Sequence, residues 1–310
     1  MRRLAWAPLL VALSSLVVAL TVRDGLPVLD LVYYAVPPPV AALLLFLGCP
    51  LLAMAAHRPA ALASALAAIV AVALWLPQQF GRAECVERSD GVRVVFWNLA
   101  RGVGGWERVI STLAEQNADI IGLVESGYHV PDPVTFWRRA FPGYDVVVPG
   151  RGMAILARGR IRGFEIVRLA EQSYLARAPV ETNRGTVQLI LVDLEANLLT
   201  NRGQRLTRFR QAVLEPAEAP TVILGDFNTP SSSRGFDGLR ARYTNLWEAR
   251  GVGYAPTWPL PVPYLTIDQM WFSSGVRPLC ARRLAKSLSD HALLVGEISI
   301  DAAAAQRPAP

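Results

Sequence analysis

Five times along this chain a short apolar run, rich in β-branched residues, adjoins a carboxylate, an amide or an imidazole. Val94-Val95-Phe96-Trp97 runs into Asn98, and Ile120-Ile121-Gly122-Leu123-Val124 into Glu125. Val222-Ile223-Leu224-Gly225 runs into Asp226 and Asn228, Leu265-Thr266-Ile267 meets Asp268, and Asp290-His291 stands just before the last run. Such runs, bounded by turn-forming residues, read as strands. Strand ends collect along the edge of a sheet, so the pattern predicts a sheet protein with polar groups converging on one edge. A single Asp or Asn after a strand is most often only a turn former, but scattered surface acids would not choose this position repeatedly.

Strands are expected at 92–97, 120–124, 144–148, 152–157, 187–192, 221–224, 267–272 and 292–300. Two helices show the right period, with Trp106, Val109, Ile110 and Leu113 on one face of the first and Leu206, Phe209, Val213 and Leu214 on one face of the second. Gly102-Val103-Gly104-Gly105 lacks a full phosphate-loop signature and reads as a flexible turn from strand to helix. The result is an α/β domain over residues 92–300, either two packed sheets with helices outside or one open sheet. Residues 81–91 read as a connector, and 301–310 as an Ala/Pro tail expected to be disordered.

Residues 1–80 are nearly all apolar. Three stretches, at about 4–22, 38–56 and 60–77, are of the length that crosses a bilayer as a helix. A cleaved signal peptide competes for the first, because Arg2 and Arg3 precede it, but its apolar core is longer than such signals use. Basic residues flanking membrane helices tend to stay cytoplasmic. Arg2, Arg3 and Arg58 therefore place the N-terminus inside and everything after the third helix outside. An oxidising exterior would let Cys85 and Cys280 pair, the alternative being two unrelated buried thiols. The net charge of +6 is nearly all arginine, Lys286 being the sole lysine, and no basic block marks a nucleic-acid tail.

The polar cluster is rich in oxygen ligands and poor in His and Cys, which favours Mg2+ or Mn2+ over zinc. Of the three histidines, His57 falls in a turn and His129 in a Pro-rich loop, leaving His291 as the candidate catalyst. Asn98, Glu125, Gly225-Asp226-Phe227-Asn228, Ile267-Asp268 and Ser289-Asp290-His291, in this order, resemble the endonuclease/exonuclease/phosphatase superfamily, in a membrane-anchored bacterial form. The resemblance covers about residues 92–300 and implies the four-layered α/β sandwich of deoxyribonuclease I, here preceded by three transmembrane helices.

It also implies roles. Glu125 would be the principal metal ligand, with Asn98 and Asp290 near the ion or holding its waters. Asp226 and Asn228 would orient the attacking water and the phosphate oxygens. His291, polarised by Asp268, would contact the phosphoryl group or shuttle a proton, with Asp226 and His291 both eligible as base. Where many members carry a histidine, this chain has Asp193, which could donate a proton only if neighbouring acids keep it protonated. The expected activity is a metal-dependent phosphodiesterase, multi-pass in the lipid bilayer with its catalytic domain extracytoplasmic. Its substrate would be a nucleic acid, a phospholipid headgroup or a phosphorylated metabolite. The rival reading is an inactive receptor or scaffold that kept the fold. Tyr254, Trp258 and Tyr264 are expected to pack a Pro-rich loop rather than stack on a substrate.

Overall fold

The computed structural model describes residues 4–86, 91–214 and 219–301, so nearly all of the expected tail lies outside the described residues. The chain divides into two compact units. The first comprises residues 1–80 with two short later segments, 197–204 and 232–235; the second is the remainder.

Four helices build the first unit: α1 (Ala7–Leu20), α2 (Pro27–Ala35), α3 (Pro38–Met54) and α4 (Arg58–Trp75). Each carries proline in its first two positions, where the missing N–H costs nothing and the fixed φ starts the helix. The stretch between the first two expected membrane segments, 4–22 and 38–56, thus contains a helix, α2. Among the described residues, one helical stretch, Arg58–Gln79, is long and apolar enough to cross a membrane. A second candidate joins the 29–35 part of α2 to α3 across a 77° bend, and α1 has 14 residues. Small and hydroxyl residues lie inside this unit, including Ala12, Ser15, Ala41, Ser64 and Ala68, while Phe46, Leu62, Leu66 and Ile69 face outward. The buried hydroxyls donate to helix carbonyls, Ser15 to Ala12 at 2.9 Å and Ser64 to Leu45 at 2.8 Å. Leu45 and Leu52 are buried beside them.

The second unit opens with β1 (Phe80–Arg82), whose last two residues belong to it, followed by β2 (Val92–Asn98), α5 (Trp106–Glu115), β3 (Ile120–Val124) and α6 (Pro133–Ala140). Then come β4 (Asp145–Gly150), β5 (Met153–Ala157), β6 (Arg160–Ile161), β7 (Glu165–Ala170), β8 (Ser173–Thr182), β9 (Gly185–Asp193) and α7 (Arg202–Leu214), the latter shared between the units. The chain closes with β10 (Thr221–Asp226), α8 (Asp237–Arg240), β11 (Tyr243–Asn245), α9 (Leu246–Arg250), β12 (Val252–Tyr254), β13 (Asp268–Ser273), β14 (Val276–Leu284) and β15 (Leu293–Ile300).

Two mixed sheets result. One runs β14-β15-β2-β3-β5-β4; the other runs β11-β13-β10-β9-β8-β6, with β7 also on β8. Each has one parallel pair near its middle, β2 with β3 and β9 with β10. The strands alternate between two buried faces. Val94, Phe96, Ile120 and Ile155 pack against Leu189, Leu191, Val222 and Leu224 of the other sheet. Val95, Trp97, Ile121 and Leu156 pack outward against Val109, Leu113 and Trp137 of the helices. Ile190, Ile223 and Trp271 do the same with Leu206 and Phe209 of α7. Helix, sheet, sheet and helix therefore stack in four layers, and strands buried on both faces read as unbroken apolar runs. Gly122 lets the sheets approach closely: a Cβ there would lie 2.3 Å from Leu224 Cδ1.

Cys85 and Cys280 form a disulfide across 195 residues of chain, and Cys49 is the free cysteine. Denatured, unreduced protein should therefore show one reactive thiol, and reduction should cost about 2–4 kcal/mol of stability. Three reactive thiols in a thiol titration would exclude the bridge.

Candidate active site

Strand register assembles the site. Asp226 ends β10, opposite Asp193 at the end of parallel β9 and Asp268 at the start of antiparallel β13. Three carboxylates thus stand side by side on neighbouring strands, where register partners share a face. On the other sheet, Asn98 ends β2 and Glu125 follows β3 directly. Asn98 bridges the two groups, its Nδ2 donating to Asp226 Oδ2 at 3.0 Å and to Glu125 Oε1 at 3.4 Å.

His291 joins them from the segment before β15. Its Nδ1–H points at the Asp268 carboxylate, 3.0 and 3.1 Å from the two oxygens, and its Nε2 lies 3.8 Å from Asp226 Oδ2. Ser289 fixes the segment: its hydroxyl donates to the Asn98 carbonyl at 2.7 Å and accepts from the His291 backbone N–H at 3.0 Å. Asn228 is turned inward by accepting geometry on its neighbours, its N–H donating to Asp226 Oδ1 at 2.8 Å and its Nδ2 to the Leu194 carbonyl at 2.7 Å. Asp290 is half-exposed, accepts from Trp258 Nε1 at 3.0 Å and lies 4.0 Å from His291 Nε2. Every residue expected from the sequence is thereby placed along one end of the sandwich.

Two arrangements were not legible. Trp258 packs its loop, as expected, but also holds Asp290 through the indole N–H. Arg101, three residues past Asn98, puts its Nε 3.2 Å from Glu125 Oε2; the only signal for it was a cation so soon after a strand-ending amide. Ala100, Arg101, Glu125 and Asn228 all have left-handed backbones, with φ between 44° and 60°. Such conformations are costly outside glycine and gather where side chains must be aimed.

Burial and crowding shift the protonation of the site. Burial, then Asp268, holds the Asp226 carboxyl well above the usual range, with His291 acting against them. Burial, then Asp226 and Glu125, does the same to Asp193. Burial opposes the charge of His291, but Asp268 and Asp226 outweigh it and raise the imidazole to about 10. A group raised in this way contributes stability that is full below its ordinary 6.5 and lost as pH rises through about 10. With metal chelated, the melting temperature should therefore fall by on the order of 5 °C across that window. His291→Asn should flatten the decline; an unchanged decline would remove the ion pair from the account.

The donor set suits a hard cation. Five carboxylates, Asp193, Asp226, Asp268, Asp290 and Glu125, face two cationic side chains, Arg101 and His291, and oxygen is the ligand type that Mg2+ and Mn2+ prefer. Asp226, Asp268 and His291 bring potential ligand atoms within 4.8 Å of one another. That trio is already closed by the imidazole N–H, whereas at Glu125 a guanidinium holds the place of a cation. Glu125 is the better ligand on this geometry.

Residues 95–291 match the family described as Endonuclease/Exonuclease/phosphatase family. No curated protein sequence matches the chain. Among solved structures, Danio rerio TDP2 complexed with a single-strand DNA product is 18% identical, covering 67% of this chain and 99% of that one at a TM-score of 0.55. The human Nocturnin catalytic domain with bound sulfate is 18% identical, over 71% and 97%, at 0.55. A mannosyl-6-phosphatase of Bacteroides thetaiotaomicron is 16% identical, over 67% and 100%, at 0.52. At these identities the likeness shows the fold alone.

Proposed function

The chain belongs to the endonuclease/exonuclease/phosphatase family, whose enzymes hydrolyse phosphate esters with a divalent metal, and on that footing we propose a membrane-anchored, extracytoplasmic phosphodiesterase using Mg2+ or Mn2+. The observation that carries the reading is Asp226: buried, linked to Glu125 through Asn98, and 3.8 Å from an imidazole held by Asp268.

This geometry divides the work. His291, raised to about 10 by Asp268 and Asp226, favours its cationic form near neutral pH, which suits it to binding phosphate more than to the role of base. Its Nε2–H is suited to a phosphoryl oxygen instead. Asp226, raised from the carboxylate range towards neutrality, is a base poised to take a proton from water. Asn228 is fixed beside it, in place to orient that water. Asp193, kept protonated by its neighbours, is able to protonate the departing alkoxide and so serves where other members carry histidine. A divalent ion held by Glu125, with Asn98 and Asp290 beside it, would supply neutralisation of the phosphate charge. An inactive scaffold would have no use for carboxyls kept at such cost.

The outward Phe and Leu side chains and inward Ala and Ser of the helices support a membrane region crossing at about 4–22, 38–56 and 60–77. Interfaces of small residues are what helices in lipid use to pack. A disulfide persists in oxidising surroundings, which favours the catalytic domain outside. The anchor favours a phospholipid headgroup or a surface polymer over a diffusing metabolite.

The test is hydrolysis by the full-length protein in detergent micelles, across DNA, RNA, sphingomyelin, phosphatidylinositol phosphates and an aryl phosphodiester, with Mg2+, Mn2+ or chelator, beside Asp226→Ala. Metal-dependent cleavage lost in the variant supports the reading and identifies the substrate class. Silence from a folded, metal-binding protein would favour the scaffold. A reporter fused after Pro310 that behaves as cytoplasmic would overturn the topology.

A further inference from the structure

We propose that Arg101 is a two-position arm of this site, pairing with Glu125 while no metal is bound and turning to the substrate phosphate once a metal takes that carboxylate. The proposal deepens the phosphodiesterase reading and rests on it. Its basis is a rigid shoulder carrying an exposed hand. Gly102 N–H donates to the Leu99 carbonyl at 2.8 Å and Ala100 N–H to Asn98 Oδ1 at 2.9 Å. The turn therefore ties the Arg101 backbone to Asn98, in a left-handed conformation at φ 60°. Beyond that turn the side chain is 61% exposed, against 30% for its partner Glu125. In that same position the guanidinium lies over the ring of Tyr128, 4.9 Å from its centroid, a contact at the rim of the site that does not depend on Glu125.

A divalent ion at Glu125 removes the ion pair and repels the guanidinium that remains nearby. An exposed pair of this kind is weak enough to yield. The displaced fork of N–H donors then stands at the mouth of the site, matched in shape and charge to phosphate oxygens. Arg101 therefore competes with the metal and cooperates with the substrate. That gives its removal opposite effects on the two.

The experiment is calorimetric titration of the full-length protein in detergent, first with Mg2+ and then, on the Mg2+-saturated protein, with inorganic phosphate. Arg101→Gln should tighten Mg2+ by about threefold to tenfold and weaken phosphate by about tenfold. Arg101→Lys, which keeps the charge without the fork, should leave Mg2+ near wild type and place phosphate between the two. Changes of the same sign would mean a merely structural role, and no change would mean none; either overturns the proposal. Wild-type protein that takes up no Mg2+ would overturn the phosphodiesterase reading and this one with it. Normal wild-type uptake with an unresponsive variant would overturn this one alone.

Discussion

Asp226→Asn should lower turnover by about a thousandfold or more on whichever phosphodiester the protein cleaves, with the fold intact. The substitution keeps the shape of a side chain that is 1% exposed. The amide oxygen can still accept from one of the two donors, Asn98 Nδ2 or the Asn228 N–H, which in the wild type use separate carboxylate oxygens, so one contact survives and one is lost. What also disappears is the capacity to take a proton. The stability outcome separates this loss from misfolding. Asp226 is a carboxyl that burial and Asp268 make reluctant to ionise, so at neutral pH its replacement relieves repulsion with Asp268. That relief offsets the lost hydrogen bond, so the metal-free variant should melt near the wild-type temperature. Wild-type turnover would take Asp226 out of the mechanism, and a lowered melting temperature would show that the lost rate reported damage.

Glu125→Gln should weaken Mg2+ binding by at least about a hundredfold, and turnover should return only at far higher metal concentrations, if at all. Glu125 stands just past β3 with φ 50°, a conformation that aims its carboxylate across to Asn98. A neutral amide of the same size keeps the aim and discards the charge, which is the larger part of a hard cation's attraction. Titration with Mg2+ followed by calorimetry reads this directly. The comparison across variants is stricter than any one of them. Asp226→Asn should lose rate while still binding metal, Glu125→Gln should lose metal, and Arg101→Gln should gain it. An Mg2+ isotherm for Glu125→Gln that overlays the wild type would refute its role as principal ligand.

Much of the fold was legible because its central strands are buried on both faces. Val94 to Trp97, Ile120 to Val124 and Thr221 to Leu224 are fully enclosed, and an enclosed strand must be apolar along its length. Strands nearer the sheet edges escaped notice. In β8 buried Leu175, Ala176, Ala178 and Val180 are interleaved with Arg177, Pro179 and Glu181, and in β14 Pro278 and three arginines break the pattern. Half-exposed strands tolerate such residues, so composition stops reporting on them. Helix α6 was missed for its eight residues, although Asp132 accepting from the Thr135 N–H at 3.1 Å left a readable capping signal in Asp-Pro.

The sequence by itself determined which residues would meet, because a carboxylate, amide or imidazole at the end of an enclosed strand has only the sheet edge to occupy. It also determined the family, through the order of those residues. Only the tertiary structure decided how they meet. That Asp193, Asp226 and Asp268 stand in one row follows from β10 lying between β9 and β13. That the charge of His291 is favoured in spite of its burial follows from its position between two buried carboxylates. The pairing of Arg101 with Glu125 was invisible along the chain, and the sequence left the pairing of Cys85 with Cys280 open beside the alternative of two unrelated thiols. Burial and register are properties of packed neighbours, and the distance between two side chains that sets their protonation is fixed only when the sheets close on one another.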